Sequence, residues 1–218
     1  MKYFTKAWYE KMQVAGFLVF PETREEWEEY IQYCSEEGID LKKQVQEDLD
    51  FRKSDLLKYL PESFHPYIHD YTIRTEYPSE ELRQMSERWQ KEYRMRMERL
   101  ALGYKQQYNA VKDKLPAGAV QLHENSLHDA KVISCELASG DRLIMTLDCR
   151  GGFHYFTDVK LIFTGVTELA LPDKLEGAWW LYDEIYLSDT GFELHVLFDC
   201  PLTECKITAK DIWLETGK

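Results

Sequence analysis

Apolar residues along this 218-residue chain follow two different periods. From Thr23 to Leu115 they recur three or four apart, the spacing of one helix face. From Lys131 onward they alternate, the spacing of a strand with one buried side. The change falls at Leu115-Pro116-Ala117-Gly118-Ala119.

The helical half opens with Thr5 before Trp8, Tyr9 and Met12. Phe17-Leu18-Val19-Phe20 follows, an extended stretch or a buried link between Gly16 and Pro21. Thr23-Arg24-Glu25-Glu26 has the form of a capping box. It precedes a stripe of Trp27, Tyr30, Ile31 and Cys34, which Gly38 closes. Asp40 starts another helix, with Leu41, Val45, Leu49, Leu56 and Leu57 toward the core, and Pro61 stops it. Ser79 begins the longest one. Leu82, Met85, Trp89, Tyr93, Met97, Leu100, Tyr104, Tyr108, Val111 and Leu115 share a face over roughly 35 residues, or about 50 Å.

The second half predicts six strands: Lys131–Leu137, Asp141–Asp148, His154–Thr164, Ala178–Leu187, Phe192–Phe198 and Glu204–Leu214. Short Gly- and Asp-rich links make neighbours antiparallel. The expected class is α+β. Residues 1–116 form a helical domain with one long helix. Residues 117–218 form an antiparallel β-meander, a curved sheet or partly open barrel, packed against the helices. Pro116 restricts the short link, so the contact between the halves is the first place to look for function.

Charge sharpens the contrast. The chain carries −12 overall. Residues 117–218 hold 17 Asp/Glu against 8 Lys/Arg, which is −9, and the remaining −3 lies in residues 1–116. This balance argues against nucleic acid and anionic membranes and toward a basic protein partner. Five cysteines form no CxxC pair. Met1–Lys6 leads into Trp8-Tyr9-Glu10 and not into an apolar segment. A reduced cytoplasmic protein with free thiols is expected.

Candidate chemistry is sparse. No GxSxG, P-loop, HExxH or GxGxxG is present. His123, Glu124, His128 and Asp129 cluster just past the switch in period, and His65, His69 and Asp70 form a second group. Turn and cap roles explain both, as does ligand binding. If His69-Asp70 met His128-Asp129, a metal enzyme would result. Cys149 beside Arg150 is weak as a nucleophile. Trp179, Trp180, Tyr182 and Tyr186 offer aromatic anchors for a partner. The reading that follows is a non-catalytic interaction module without cofactor or metal. Its binding residues would be His69, Asp70, His123, His128, Asp129, Trp180 and Tyr182. The alternatives are the metal enzyme and self-association through the long helix.

The opening Met1-Lys2-Tyr3-Phe4-Thr5-Lys6-Ala7-Trp8-Tyr9 resembles the start of a bacterial family of unknown function, with a helical front and a strand-rich tail. That resemblance covers most of the chain and implies no activity. Leu127-His128-Asp129, leading into a strand and a Gly-Asp hairpin, resembles small β domains of immunity-type proteins, which bind and neutralise a toxin.

Overall fold

A computed structural model describes residues 1–217, with Ser139 represented by its backbone alone. The chain divides into two compact units. The α unit is Ala7–Arg99; the β unit is Met1–Lys6 with Leu100–Lys218. Leu115–Ala119 lies inside the β unit.

The α unit follows its caps. Helix α1 (Lys6–Phe17) ends where Leu18 turns inward as a fully buried link. Helix α2 (Arg24–Glu36) starts at Thr23, whose Oγ1 accepts the Glu26 N–H at 3.1 Å. The Glu26 carboxylate reaches back one residue further than a capping box requires and accepts the Glu22 N–H. Helix α3 (Leu41–Tyr59) is capped by Asp40, which accepts the Lys43 N–H at 3.0 Å. Short α4 (His65–His69) and α5 (Thr72–Thr75) lead to α6 (Glu80–Val111), capped by Ser79. Val14, Phe17, Leu18, Leu49, Leu56, Phe64, Ile68, Ile73 and Leu82 form the core of this unit. No helix among the described residues is long and apolar enough to cross a membrane.

The β unit holds eight antiparallel strands: β1 (Lys131–Ser139), β2 (Arg142–Asp148), β3 (Asp158–Thr164), β4 (Glu168–Ala170), β5 (Trp179–Ser188), β6 (Gly191–Asp199), β7 (Thr203–Ala209) and β8 (Asp211–Thr216). Two differences from the expected strands have local causes. Residues 154–157 belong to a loop. The stretch Glu204–Leu214 breaks at Lys210, because β7 and β8 pair with different strands. Two meanders, β1-β2-β3 and β5-β6-β7, join through a short β1–β5 ladder, giving the order β4-β7-β6-β5-β1-β2-β3-β8.

That order forces curvature. Lys210 alone separates β7 from β8, yet they hold the second and eighth places. Only a strongly coiled sheet brings those places within one residue. The Lys210 N–H fixes the corner on the Thr164 carbonyl at 3.0 Å. No ladder joins β4 to β8 among the described residues, so the sheet stays open.

The concave side is filled by Leu143, Met145, Val159, Phe163, Phe192, Leu194 and Ile207. It is closed by Tyr104 and Tyr108 of α6 and by Ala119 and Leu122 of a helix the periodicity does not announce, α7 (Ala117–Glu124). Helix α7 lies directly on the backbone of β8. A Cβ at Gly118 would sit 1.7 Å from the Ile212 carbonyl oxygen.

Candidate functional site

Two polar clusters of the β unit are built on β5. This strand reads Trp179-Trp180-Leu181-Tyr182-Asp183-Glu184-Ile185-Tyr186. Its ladder with β6 shifts register between Trp180 and Tyr182, a bulge that puts one extra residue into β5. After the bulge, Asp183 and Ile185 share the core side, and Tyr182, Glu184 and Tyr186 share the other. Two adjacent carboxylates therefore serve opposite faces.

On the core side, His123 of α7 donates from Nδ1 to Asp183 Oδ2 at 2.6 Å. The Trp180 indole N–H reaches the second Asp183 oxygen at 3.4 Å. The imidazole lies between Tyr104 and Tyr108, with ring centroids at 5.4 and 4.4 Å. The Tyr108 hydroxyl donates to Glu124, which also pairs with Lys112. Burial works against the charged imidazolium. The Asp183 carboxylate, with Glu124 behind it, outweighs that effect and raises His123 above its ordinary value. Burial, aided by Glu124, pushes the Tyr108 hydroxyl up to about 12. Burial and Asp183 likewise raise Tyr104, whose hydroxyl oxygen accepts the Ile185 N–H at 2.9 Å.

A pH dependence follows. A histidine whose folded pKa exceeds its unfolded one stabilises the fold fully below about 6.5, and that contribution is lost as pH rises through the folded value. The stability difference between the wild type and His123→Asn should be larger at pH 5 than at pH 9. Denaturant titrations at the two pH values measure it; a difference independent of pH would remove the ionic role of the pair.

On the opposite side, Glu184 is fully buried. Its Oε1 accepts the Tyr3 and Phe4 N–H groups at 2.8 and 2.6 Å, and its Oε2 accepts the Lys2 N–H at 2.8 Å. The Tyr186 hydroxyl donates to the same Oε2. Burial and the neighbouring carboxylate raise that hydroxyl's pKa. The segment is held further by Tyr3, whose hydroxyl donates to Gln107 at 2.8 Å, and by Phe4 against Tyr104 and Tyr182.

The third cluster is more open. His128 donates from Nδ1 to the Leu181 carbonyl, and its Nε2 lies 3.6 Å from Asp129 Oδ1. Asp129 adopts a left-handed conformation, φ 66°, which Asp tolerates better than most residues. The imidazole faces Tyr182 at 5.1 Å and Phe153 at 6.0 Å. Phe153 belongs to the β2–β3 loop, which also carries the exposed Phe156.

The predicted residues are divided between the two units. His123, His128, Asp129, Trp180 and Tyr182 all lie on or against β5. Trp180 is no surface anchor: it is fully buried against Phe198, with ring centroids 5.5 Å apart. Tyr186 is buried as well, and Trp179 is the exposed member of the pair, with Lys131 over its ring at 5.6 Å. His69 and Asp70 are exposed at the end of α4 in the α unit, where His69 meets His65 edge to face. His195 of β6 donates to Glu193 at 2.6 Å. No group of three or more His, Cys, Asp or Glu among the described residues is placed to hold a metal ion, so the metal reading lacks a ligand set. Glu184 and Asp183 were missed by the sequence, although two adjacent acids inside an aromatic strand were a signal.

The cysteines are unpaired. Burial, then Asp148 and Asp158, pushes Cys149 up to about 11, and the Arg150 guanidinium is engaged by Asp148 at 2.7 Å. Burial likewise raises Cys135 to about 11 and Cys205 to about 12. Iodoacetamide at neutral pH should modify exposed Cys200 well before these three, as peptide mass spectrometry would read. Early labelling of Cys149 would contradict the assignment.

The chain belongs to a family of proteins of unknown function, DUF4085, whose model matches residues 3–209. That span includes Tyr3, Phe4 and every β5 residue described above. No curated protein matches the chain.

Proposed function

We propose that this chain is a non-catalytic protein-binding module of the bacterial cytoplasm, and that its partner presents a basic surface. The observation that carries this reading is the β2–β3 loop. Phe153 and Phe156 are 66% and 75% exposed there, and Phe153 faces the half-exposed His128, which also meets Asp129 and Tyr182. Phenylalanines held that far into water beside acidic groups are what interface cores use as anchors. Catalysis has less support, because the acid–base groups on β5 are already engaged. His123 and Asp183 hold each other, and Glu184 is saturated by backbone donors. An immunity-type role, binding and neutralising a toxic partner, is one form of this activity.

The test is affinity capture from native lysate, comparing the wild type with Phe153→Ser/Phe156→Ser. Both residues are exposed, so the double variant should keep its melting temperature within the small range of surface substitutions. A partner retained by the wild type, lost from the variant and released by salt supports the reading. Equal recovery by both proteins, or none above a charge-matched control, sinks it.

A further inference from the structure

The His128 cluster contains two acceptors that face each other with no donor between them. The Leu181 carbonyl oxygen can only accept, so the proton of the neutral imidazole sits on Nδ1. Nε2 is then left with a lone pair, 3.6 Å from Asp129 Oδ1. That separation is too long for a hydrogen bond between the two. Solvent reaches both side chains, which are 29% and 46% exposed. Among the described residues no lysine or arginine pairs with Asp129. The flanking basic residues are occupied: Lys131 lies over the Trp179 ring, and Arg150 pairs with Asp148 and Asp158.

The aromatic surround is held in place. A Cβ at Gly152 would meet the His128 carbonyl oxygen at 3.4 Å, so the β2–β3 loop rests on this residue. The Asn125 amide ties the same loop by donating to the Tyr155 hydroxyl at 3.3 Å. Burial, and then the Asp129 charge, raise the Tyr182 hydroxyl above its ordinary value. What fits such a place is a group that donates twice and carries positive charge. A hydroxyl donates once, a neutral amide leaves the carboxylate uncompensated, and an anion is repelled. An ammonium has the charge but no flat face. A guanidinium has two parallel N–H groups along one edge and a plane that stacks on rings. We propose that His128 Nε2 and Asp129 Oδ1 bind one arginine side chain of the protein partner, with its guanidinium lying against Phe153. The proposal rests on the protein-binding reading above and names the group that this surface takes.

A nuclear magnetic resonance titration of the full chain at pH 8, above the ordinary histidine range, tests it. The probe is acetyl-glycyl-arginyl-glycinamide. Citrulline in place of arginine keeps the shape without the charge, and lysine keeps the charge without the planar edge. The His128 signals are identified by their loss in His128→Asn. Before peptide is added, the His128 proton should be on Nδ1. The arginine peptide should shift Nε2 and saturate in the millimolar range. The citrulline and lysine peptides should bind at least about fivefold more weakly, as should the arginine peptide to Asp129→Asn. Asn also tolerates the left-handed conformation at this position, so that variant should keep the wild-type melting temperature. A resting proton on Nε2, a His128 signal indifferent to the arginine peptide, or equal binding of the citrulline or lysine peptide overturns the proposal. Lysate capture separates the two readings. If Asp129→Asn retains the partner as the wild type does while Phe153→Ser/Phe156→Ser loses it, the arginine site alone falls. If the arginine peptide binds as described but no partner is captured, the site stands and the protein-binding reading falls.

Discussion

Glu184→Ala should cost the β unit about 4 kcal/mol, the largest effect of any single substitution expected here. The carboxylate is fully buried and accepts three consecutive backbone N–H groups and one hydroxyl. Alanine leaves all four donors without an acceptor. Each orphaned buried donor costs about 1–3 kcal/mol, and entry of water offsets part of that sum. A melting temperature lower by at least about 10 °C is the expected reading for a unit of this size. Glu184→Gln separates charge from shape. Its amide oxygen can keep the Tyr3 and Phe4 N–H groups. Its NH2 then faces the Lys2 N–H, donor against donor, while the Tyr186 hydroxyl turns to accept. The loss should fall to about 1–2 kcal/mol, with hydrogen exchange rising first at the Lys2 amide. If Glu184→Ala costs less than about 1 kcal/mol, the Lys2–Phe4 segment is not held by this carboxylate.

Gly118→Ala should cost about 3 kcal/mol net, or prevent the β unit from folding. The new methyl would lie 1.7 Å from the Ile212 carbonyl oxygen and 2.8 Å from its carbon. Both are backbone atoms of β8, so no side chain can swing aside. Helix α7 must lift, and lifting it opens the packing of Ala119 and Leu122, both fully buried. Alanine's better helix propensity returns only about 1 kcal/mol. Gly16→Ala in α1 is the control. Nothing lies within 4 Å of a Cβ there, so the propensity gain should appear as a small stabilisation. Unfolding titrations of both variants decide the matter; equal behaviour would mean that α7 does not rest on β8.

The two effects differ in how legible their sites were. Position 118 sits in a stretch whose small residues and proline resembled a link. Its helix is selected by contact with β8, nearly a hundred residues onward, and glycine lowers the local signal further. Glu184 was visible only as an acid in a strand. Nothing near it in the chain indicates that its partners are the amides of Lys2–Phe4. His123 and His128 were singled out together as one cluster, but the turn at 125–130 sends them to different contacts, one to Asp183 and the other to the Leu181 carbonyl. Trp180 was chosen over Trp179 as a binding residue, but strand alternation with the neighbouring bulge put Trp179 in water and Trp180 in the core.

By itself, the sequence determined the α+β class, the caps at Thr23, Asp40 and Ser79, the length of α6 and most of the strands. These depend on residues within a turn or two of each other, and period and capping are properties of such neighbours. Tertiary structure alone decided that β8 returns to β3, that α7 exists, and which polar groups are spent in holding the fold. Each of those outcomes joins residues tens to hundreds of positions apart, and pairing at that range is chosen by burial and by the need to satisfy every buried donor, neither of which leaves a local pattern.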